Sequence, residues 1–174
     1  MTDSVRDELT LRVRTVFADV PRPGNWALCG SYEGPEGPDA ATTFSGLDRW
    51  QDANATFLHA GRLQQLHFLS DEAFRYFLPA FLVADLEGNL DGRDGDVVWL
   101  LTSAFRREQI DEPVNPGRFG ARTWADCGRY KFSTFTKAEA HVIVEYLRWK
   151  LLDAEPDDAG DVVDALDSYW LKRT

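Results

Sequence analysis

The spacing of apolar residues predicts a helix at the start of this chain. Within residues 3–20, the apolar side chains recur three or four positions apart, which places them on one face of a helix. This face consists of Leu9, Val13, Val16, Phe17 and Val20. Pro21 and Pro23 follow directly and are expected to end the helix, because proline removes a backbone donor.

A second helix is predicted over residues 71–87, and its apolar residues cover almost all of its faces. Ser70 is a suitable N-cap for this helix, and Gly88 is a suitable residue to follow its last turn. Pro79 lies inside the segment and is expected to kink the helix or split it in two. A helix that is apolar all round is typically buried, so we expect this one at the centre of the fold.

Shorter signals predict the remaining helices. Thr136 and Glu139 have the spacing of a capping box and predict a helix that starts near residue 137. The apolar segment 97–103 fits either a helix or a strand by its length, and its helical surroundings favour a helix. The long predicted helices span residues 4–20, 46–60, 71–87, 137–153 and 159–172.

Two stretches are rich in residues that break helices. Residues 21–46 hold four of the eight prolines and five of the thirteen glycines, which predicts a long loop rather than a regular helix. A minor β-hairpin within 26–44 is compatible with this composition, and residues 106–135 are predicted to be irregular as well. The sequence thus predicts a mostly α fold, a single-domain helical bundle around the buried, proline-containing helix.

Length and composition indicate one globular domain. The chain has 174 residues, of which 44% are apolar and 13% are aromatic, too many for a disordered chain. We therefore predict one domain over residues 1–174. The amino terminus is charged where a signal peptide is apolar, and no apolar run approaches the ~18 residues that span a membrane. With two cysteines, Cys29 and Cys127, these features predict a cytoplasmic protein with no membrane partner.

The formal charge of −10 argues against nucleic acid as a partner, because phosphate groups would be repelled. This charge is concentrated in two segments. Residues 153–167 hold seven acidic residues and no basic one, and residues 85–96 hold five acidic residues and one arginine. A third segment, 113–132, combines arginines with aromatic residues, which could stack on a single strand. We prefer a loop that its aromatic residues pin to the core, with its arginines paired to acidic loops.

The acidic loop 87–96 contains the candidate metal ligands of this chain. Aligned with an EF-hand calcium loop, Glu87, Asn89 and Asp91 take the first, third and fifth positions. Val98 takes the twelfth position, where calcium needs a bidentate glutamate, so the expected affinity is poor. A solvated turn between helices is the competing interpretation, and we predict no cofactor. The full set of candidate ligands is Glu87, Asn89, Asp91 and Asp96.

No group of residues has the spacing of a catalytic motif such as a nucleophile elbow or a phosphate-binding loop. His141 and Glu145 have the spacing of two metal ligands on one helix, but they lie on its polar stripe, which is expected to face solvent. Cys29 lies in a loop where an exposed thiol could react, provided that a histidine base lay nearby. We therefore predict no catalytic residue.

Three stretches of the chain resemble a known family. They are the end of the opening helix, Val16–Pro21, the block Phe68–Leu82, and the helix start Phe132–Glu139 with its pattern Phe-x-x-Phe-Thr-x-x-Glu. Together with Trp50 and Trp170, they are similar to a family of small bacterial proteins defined only as a domain of unknown function. The resemblance implies a bacterial source and a single domain, and it brings no catalytic residue.

Two functions stay open on this basis. The lack of a catalytic motif, together with a generous supply of tryptophan and long loops, favours a non-catalytic protein-interaction or accessory module. Its interaction would be with a protein partner or with a second copy of the chain. The alternative is a small hydrolase or metal-assisted enzyme that uses the acidic loop 87–96 or the loop around Cys29.

Overall fold

The computed structural model describes residues 2–59, 61–90, 96–152, 154 and 156–174. This part of the chain forms ten α-helices and no strand, which confirms the predicted mostly α fold. None of the described helices is both long and apolar enough to cross a membrane. The helices are α1 (Thr2–Val16), α2 (Glu36–Ser45), α3 (Ala55–Leu58), α4 (Arg62–Leu66), α5 (Asp71–Leu86), α6 (Val97–Thr102), α7 (Pro116–Phe119), α8 (Trp124–Lys131), α9 (Lys137–Lys150) and α10 (Pro156–Ser168).

The chain divides into two compact units, Met1–Val97 and Val98–Thr174. Helices α1 to α5 belong to the first unit and α7 to α10 to the second, while α6 begins at the last residue of the first. Each unit has a set of buried apolar residues of its own. The predicted single domain over residues 1–174 stays a prediction.

Helix α5 is the most buried helix of the first unit, as its apolar pattern predicts. Its first turn is capped by Ser70, whose Oγ accepts the Ala73 N–H at 3.2 Å. Its last turn ends in a Schellman motif, in which the Asn89 N–H donates to the Ala84 carbonyl at 2.7 Å. Gly88 takes the left-handed conformation that this motif requires, with φ of 71°. The helix runs through the buried Pro79 as a single element.

Helix α1 packs against α5 with the apolar face that the sequence predicts. Leu9, Val13 and Phe17 are buried there, and the helix itself ends at Val16, four residues before the predicted end. The Phe17 carbonyl beyond its end accepts the indole N–H of Trp50 at 3.2 Å. This bond satisfies a carbonyl that the helix end leaves without an intrahelical partner.

The prediction that residues 21–46 contain no regular helix is wrong, because α2 occupies the second half of this stretch. Pro35 is the N-cap of α2 and Pro38 lies in its first turn, where backbone N–H groups have no intrahelical acceptor. The prolines therefore remove no helical hydrogen bond. The minor β-hairpin within 26–44 is also wrong for these residues, which include only an isolated bridge from Cys29 to Leu69.

The predicted helix over 46–60 is wrong as well. Ser45, which directly precedes this stretch, is the last residue of α2, and its hydroxyl donates to the Thr42 carbonyl. A 3-10 turn, Trp50–Asp52, and the short α3 occupy the region instead. Asn54 begins α3, because its side-chain oxygen accepts the Phe57 N–H at 3.0 Å and thereby favours a new helix start.

The core of the second unit is a cluster of aromatic rings. Tyr169 stacks on Phe105 with ring centroids 4.8 Å apart, and Trp170 packs on Phe132 at 4.9 Å. The buried indole of Trp170 donates its N–H to the Leu101 carbonyl at 3.0 Å. These residues come from three separate stretches of the chain, 101–105, 132 and 169–170. The cluster therefore holds those stretches together in one core.

Two predictions for the second unit have different outcomes. The predicted capping box at Thr136 and Glu139 is present at the start of α9, and the segment 97–103 contains the helix α6. The prediction that residues 106–135 are irregular is wrong, because α7 and α8 lie there. A second capping box, formed by Thr123 and Asp126, starts α8 and was a signal present in the sequence.

Candidate functional site

A cleft of ≈ 200 Å³ opens in the first unit. Its floor is made of buried apolar side chains, and its rim carries charged and amide side chains. The apolar residues of the floor are Trp50, Leu58, Ala80, Val83 and Ala84. The polar residues of the rim are Arg14, Gln51, Asn54, Glu87 and Asn89.

The local sequence explains why there is space at this position. Ala80, Val83 and Ala84 follow the i, i+3, i+4 spacing of one helical face on α5, and small side chains leave a depression along that face. Trp50 forms another part of the floor, and its indole N–H is already bonded to the Phe17 carbonyl. The floor is therefore apolar, and the hydrogen bond to the Phe17 carbonyl holds the Trp50 indole in place.

The rim is organised around one carboxylate. Arg14 Nη2 lies 2.8 Å from Glu87 Oε1, and both side chains are partly exposed. The second oxygen of Glu87 accepts the Asn89 Nδ2–H at 3.2 Å. Both oxygens of this carboxylate therefore already have a protein donor, while Arg14 uses only one of its nitrogens in bonds to described residues.

The structure brings together two of the four predicted metal ligands. Glu87 and Asn89 lie side by side on the rim of the cleft, whereas Asp96 does not line it. Asp91 lies outside the described residues. Among the residues that are described, no three His, Cys, Asp or Glu side chains form a group that could hold a metal ion. The predicted ion-binding loop stays a prediction.

The other sequence candidates lie elsewhere. The half-buried Cys29 has its thiol 3.1 Å from the Ser31 carbonyl, which the S–H can donate to. His141 and Glu145 lie 3.6 Å apart on α9, and the histidine is exposed as the polar stripe predicts. Among the described residues, no third His, Cys, Asp or Glu joins His141 and Glu145 to form a metal-binding group.

The clear pKa shifts mark structural groups. Burial raises the pKa of the Cys127 thiol, so this cysteine is less reactive than a free one at neutral pH. Burial likewise raises the pKa of the Tyr76 and Tyr169 phenols. The backbone N–H of Thr123 bonds the Asp126 carboxylate and lowers its pKa, which belongs to the capping box of α8. None of these groups lines the cleft.

A second candidate is a set of exposed aromatic residues in the first unit, which we call the aromatic surface. It consists of Trp26, Tyr32 and Phe68, whose exposed fractions are 86%, 76% and 42%. Phe68 lies within a short antiparallel pairing of segments 27–30 and 68–70, and Trp26 and Tyr32 lie just outside its first segment. There the Gly30 N–H donates to the Phe68 carbonyl at 3.0 Å, and the Ser70 N–H donates to the Leu28 carbonyl at 2.8 Å.

Trp26 stands on an anchored turn. Trp26 lies in the 3-10 turn Asn25–Ala27. The Ser70 hydroxyl donates to the carbonyl of Ala27, the last residue of this turn, at 2.6 Å. On the other side, Arg22 donates from Nη2 to the Asn25 side chain and from Nε to the Leu47 carbonyl, each at 2.8 Å. The sequence indicates that the tryptophans as a group could serve a partner surface. It does not distinguish the exposed Trp26 from the buried tryptophans, because the apolar residues around Trp26 follow neither a helical nor a strand spacing.

The basic segment 113–132 is divided between core and surface. Phe132 is buried in the aromatic core, as predicted for a pinned loop, but Phe119 and Tyr130 are exposed. Arg122 lies over both exposed rings, 5.8 Å and 6.0 Å from their centroids. These cation–π contacts give the arginine a partner within its own segment. Within the described part of the chain, Arg129 pairs with the nearby Asp126 at 3.4 Å.

A family model covers almost the whole chain. The model of a family of unknown function (DUF6714) matches residues 5–174. No curated protein and no solved structure matches the chain significantly.

Proposed function

The chain belongs to the DUF6714 family of unknown function, and we propose that it acts as a non-catalytic protein-interaction module. The observation that carries this proposal is the exposed Trp26 on its anchored turn. A tryptophan that is 86% exposed leaves most of a large apolar ring in water. A partner surface that covers this ring would remove that unfavourable contact with water.

The size of this effect suits an anchor residue. Burial of an aromatic side chain of roughly 200 Å² contributes about 5 kcal/mol before the costs of association are subtracted. Tyr32 and Phe68 add exposed apolar area, Phe68 within the paired segments and Tyr32 just beyond them. Because Arg22 and Ser70 already hold the turn in place, little conformational entropy is lost when a partner binds.

The occupant that we propose is another protein rather than a second copy of the chain. Glu33 directly follows Tyr32 of the aromatic surface in the chain, and the chain as a whole carries a charge of −10, so two copies would repel each other. A partner with basic residues around an apolar pocket would complement both features. For the alternative, a small hydrolase or metal-assisted enzyme, the described residues offer no group of three potential metal ligands, and burial raises the pKa of the Cys127 thiol.

A site-specific photo-crosslinking experiment tests the proposal. A photoreactive phenylalanine derivative replaces Trp26 in one variant and Trp99, a half-exposed tryptophan outside the first unit, in a matched control. Both variants are expressed in the source organism, irradiated and analysed by mass spectrometry. We expect a discrete crosslinked protein from position 26 that position 99 does not give.

Two results would count against this proposal. The same crosslinked proteins from both positions would indicate unspecific contact, and a dimer of the chain from position 26 would replace the partner with self-association. Sedimentation of purified wild-type protein distinguishes the second case, since the proposal expects a monomer at micromolar concentration.

A further inference from the structure

We propose that the cleft of the first unit binds a small monocarboxylate with a one-ring or short aliphatic body. Size is the first reason. The cleft has a volume of ≈ 200 Å³, and an apolar protein cavity of about 150 Å³ is large enough for benzene. The cleft therefore has space for one ring and a few further atoms.

The apolar floor selects the body of the ligand. Ala80, Val83 and Ala84 present only methyl and methine groups, and all three are buried. The Trp50 indole adds a flat apolar face, because its N–H is bonded to the Phe17 carbonyl and is not available to a ligand. A hydrocarbon body would replace water against this floor, which is favourable by the hydrophobic effect.

The rim selects the head group. Glu87 accepts from Arg14 and Asn89, so its carboxylate has both oxygens occupied. Arg14 forms its only bond to the described residues through one N–H of Nη2, so one edge of its guanidinium, made of the second Nη2 N–H and a neighbouring nitrogen, is open to a ligand. Two neighbouring guanidinium N–H groups match the two oxygens of a carboxylate.

A carboxylate fits this rim better than a phosphate does. A doubly charged anion loses more hydration than a singly charged one on entering the cleft, and Glu87, 2.8 Å from Arg14, offsets the attraction that would compensate for this loss. The rim amides add neutral donors: Asn54 uses its oxygen on the Phe57 N–H, and its Nδ2 group remains available. A singly charged head group with two acceptor oxygens is the chemistry that these donors complement.

Binding is tested by NMR titration of the full chain with benzoate and with benzamide, its neutral isostere. We expect benzoate to shift the amide signals of residues 14, 50–55 and 80–87. The expected dissociation constant is about 1 mM. Benzamide keeps the ring but loses the charge, so its affinity should be about tenfold lower, the effect of one charge-assisted hydrogen bond. Inorganic phosphate should bind more weakly than benzoate.

Two variants locate the site. Arg14→Gln removes the guanidinium and should weaken benzoate at least about tenfold, while leaving benzamide unchanged. Arg12→Gln is the matched control, because it removes the same charge from the same helix at a position that does not line the cleft. Ala55→Trp fills the rim at an exposed position and should weaken both ligands.

Clear outcomes overturn the inference. Equal affinity for benzoate and benzamide would exclude a carboxylate site. Signal shifts outside the cleft, or none at about 10 mM ligand, would exclude binding there. Benzoate binding that Arg12→Gln weakens as much as Arg14→Gln does would show a general charge effect. None of these outcomes bears on the aromatic surface, since Trp26 does not line the cleft.

Discussion

The two units of this protein form their cores in different ways. In the first unit, a single helix, α5, supplies twelve buried residues, and the helix α1 packs against it. In the second unit, the core is a cluster of rings from short elements that lie far apart in the chain, such as Phe105, Phe132 and Trp170. The first core rests on one continuous stretch of sequence, and the second depends on the meeting of separate stretches.

This difference shows which features of a core can be recognised in advance. A long apolar helix with a capping serine and a final glycine has local signals over its whole length. The ring cluster has no comparable local signal, because each of its elements contributes only one or two rings. The sequence therefore predicts the centre of the first unit well and that of the second poorly.

The largest expected effect compares the same substitution in both cores. Phe77→Ala in the first unit and Phe132→Ala in the second each remove a buried ring and should lower the free energy of unfolding by about 4 kcal/mol. Urea unfolding measures this loss. Phe68→Ala serves as the control, because this side chain is partly exposed and should cost less than about 1 kcal/mol. A loss below about 1 kcal/mol for Phe132→Ala would show that the ring cluster does not stabilise the second unit.

A smaller effect tests how tightly the second core is packed. A Cβ at Gly128 would lie 2.7 Å from the Ala104 Cβ and 2.8 Å from the Phe105 ring. Gly128→Ala should therefore destabilise the protein by about 2 kcal/mol despite the higher helix propensity of alanine. Gly160→Ala is the control, since nothing lies within 4 Å of that Cβ, and it should stabilise α10 by about 0.5 kcal/mol. Thermal unfolding of both variants measures the difference, and equal shifts in Tm would contradict the tight packing.

A still smaller effect compares one buried tyrosine in each unit. The Tyr76 hydroxyl in the first unit donates to the Asp48 carbonyl at 3.1 Å. The Tyr169 hydroxyl in the second has no hydrogen-bond partner among the described residues. Tyr76→Phe should cost about 1 kcal/mol in urea unfolding, whereas Tyr169→Phe should be neutral or slightly stabilising. A larger loss for Tyr169→Phe than for Tyr76→Phe would reverse this comparison.

The same tyrosines predict a pH dependence. Burial raises the pKa of both phenols above their usual value of about 10. Above that pH the unfolded chain releases its phenolic protons while the folded protein retains them, so stability falls as the pH rises. Below it, both states are protonated and these groups cause no pH dependence. Urea unfolding at about pH 8 and about pH 11 should show a smaller decrease for Tyr169→Phe than for the wild type. An equal decrease would contradict the predicted contribution of Tyr169.

The smallest expected effect concerns the rim of the cleft. The Arg14–Glu87 pair is partly exposed, so Arg14→Gln should lower the stability by less than about 1 kcal/mol. Most of that difference should disappear in high salt, because solvent ions screen exposed charges. Thermal unfolding at low and high ionic strength measures both quantities. A loss that salt leaves unchanged would mean that Arg14 stabilises the fold through packing rather than charge.

Proline content was the main source of error in predicting helices. Pro35 and Pro38 indicate a loop when they are simply counted, yet they lie at the start of α2 and cost no hydrogen bond there. The capping box at Thr123 was a local signal for α8 that the density of glycine and proline concealed. Asn54 was a local signal for the start of α3 inside the stretch 46–60, which was predicted as one continuous helix. These errors concern the position of a residue within a helix, which composition does not encode.

The sequence by itself determined the helices whose signals are local. The caps at Ser70 and Thr136 and the continuous apolar pattern of α5 act between neighbouring residues, so the spacing of residue types is enough to recognise them. Only the tertiary structure decided which tryptophan faces solvent and which residues share a cleft. Arg14 and Glu87 lie 73 positions apart in the chain, and their meeting depends on how α1 packs on α5. Burial and long-range contact are properties of the assembled core, because every residue in it takes its exposure from neighbours that are distant in sequence.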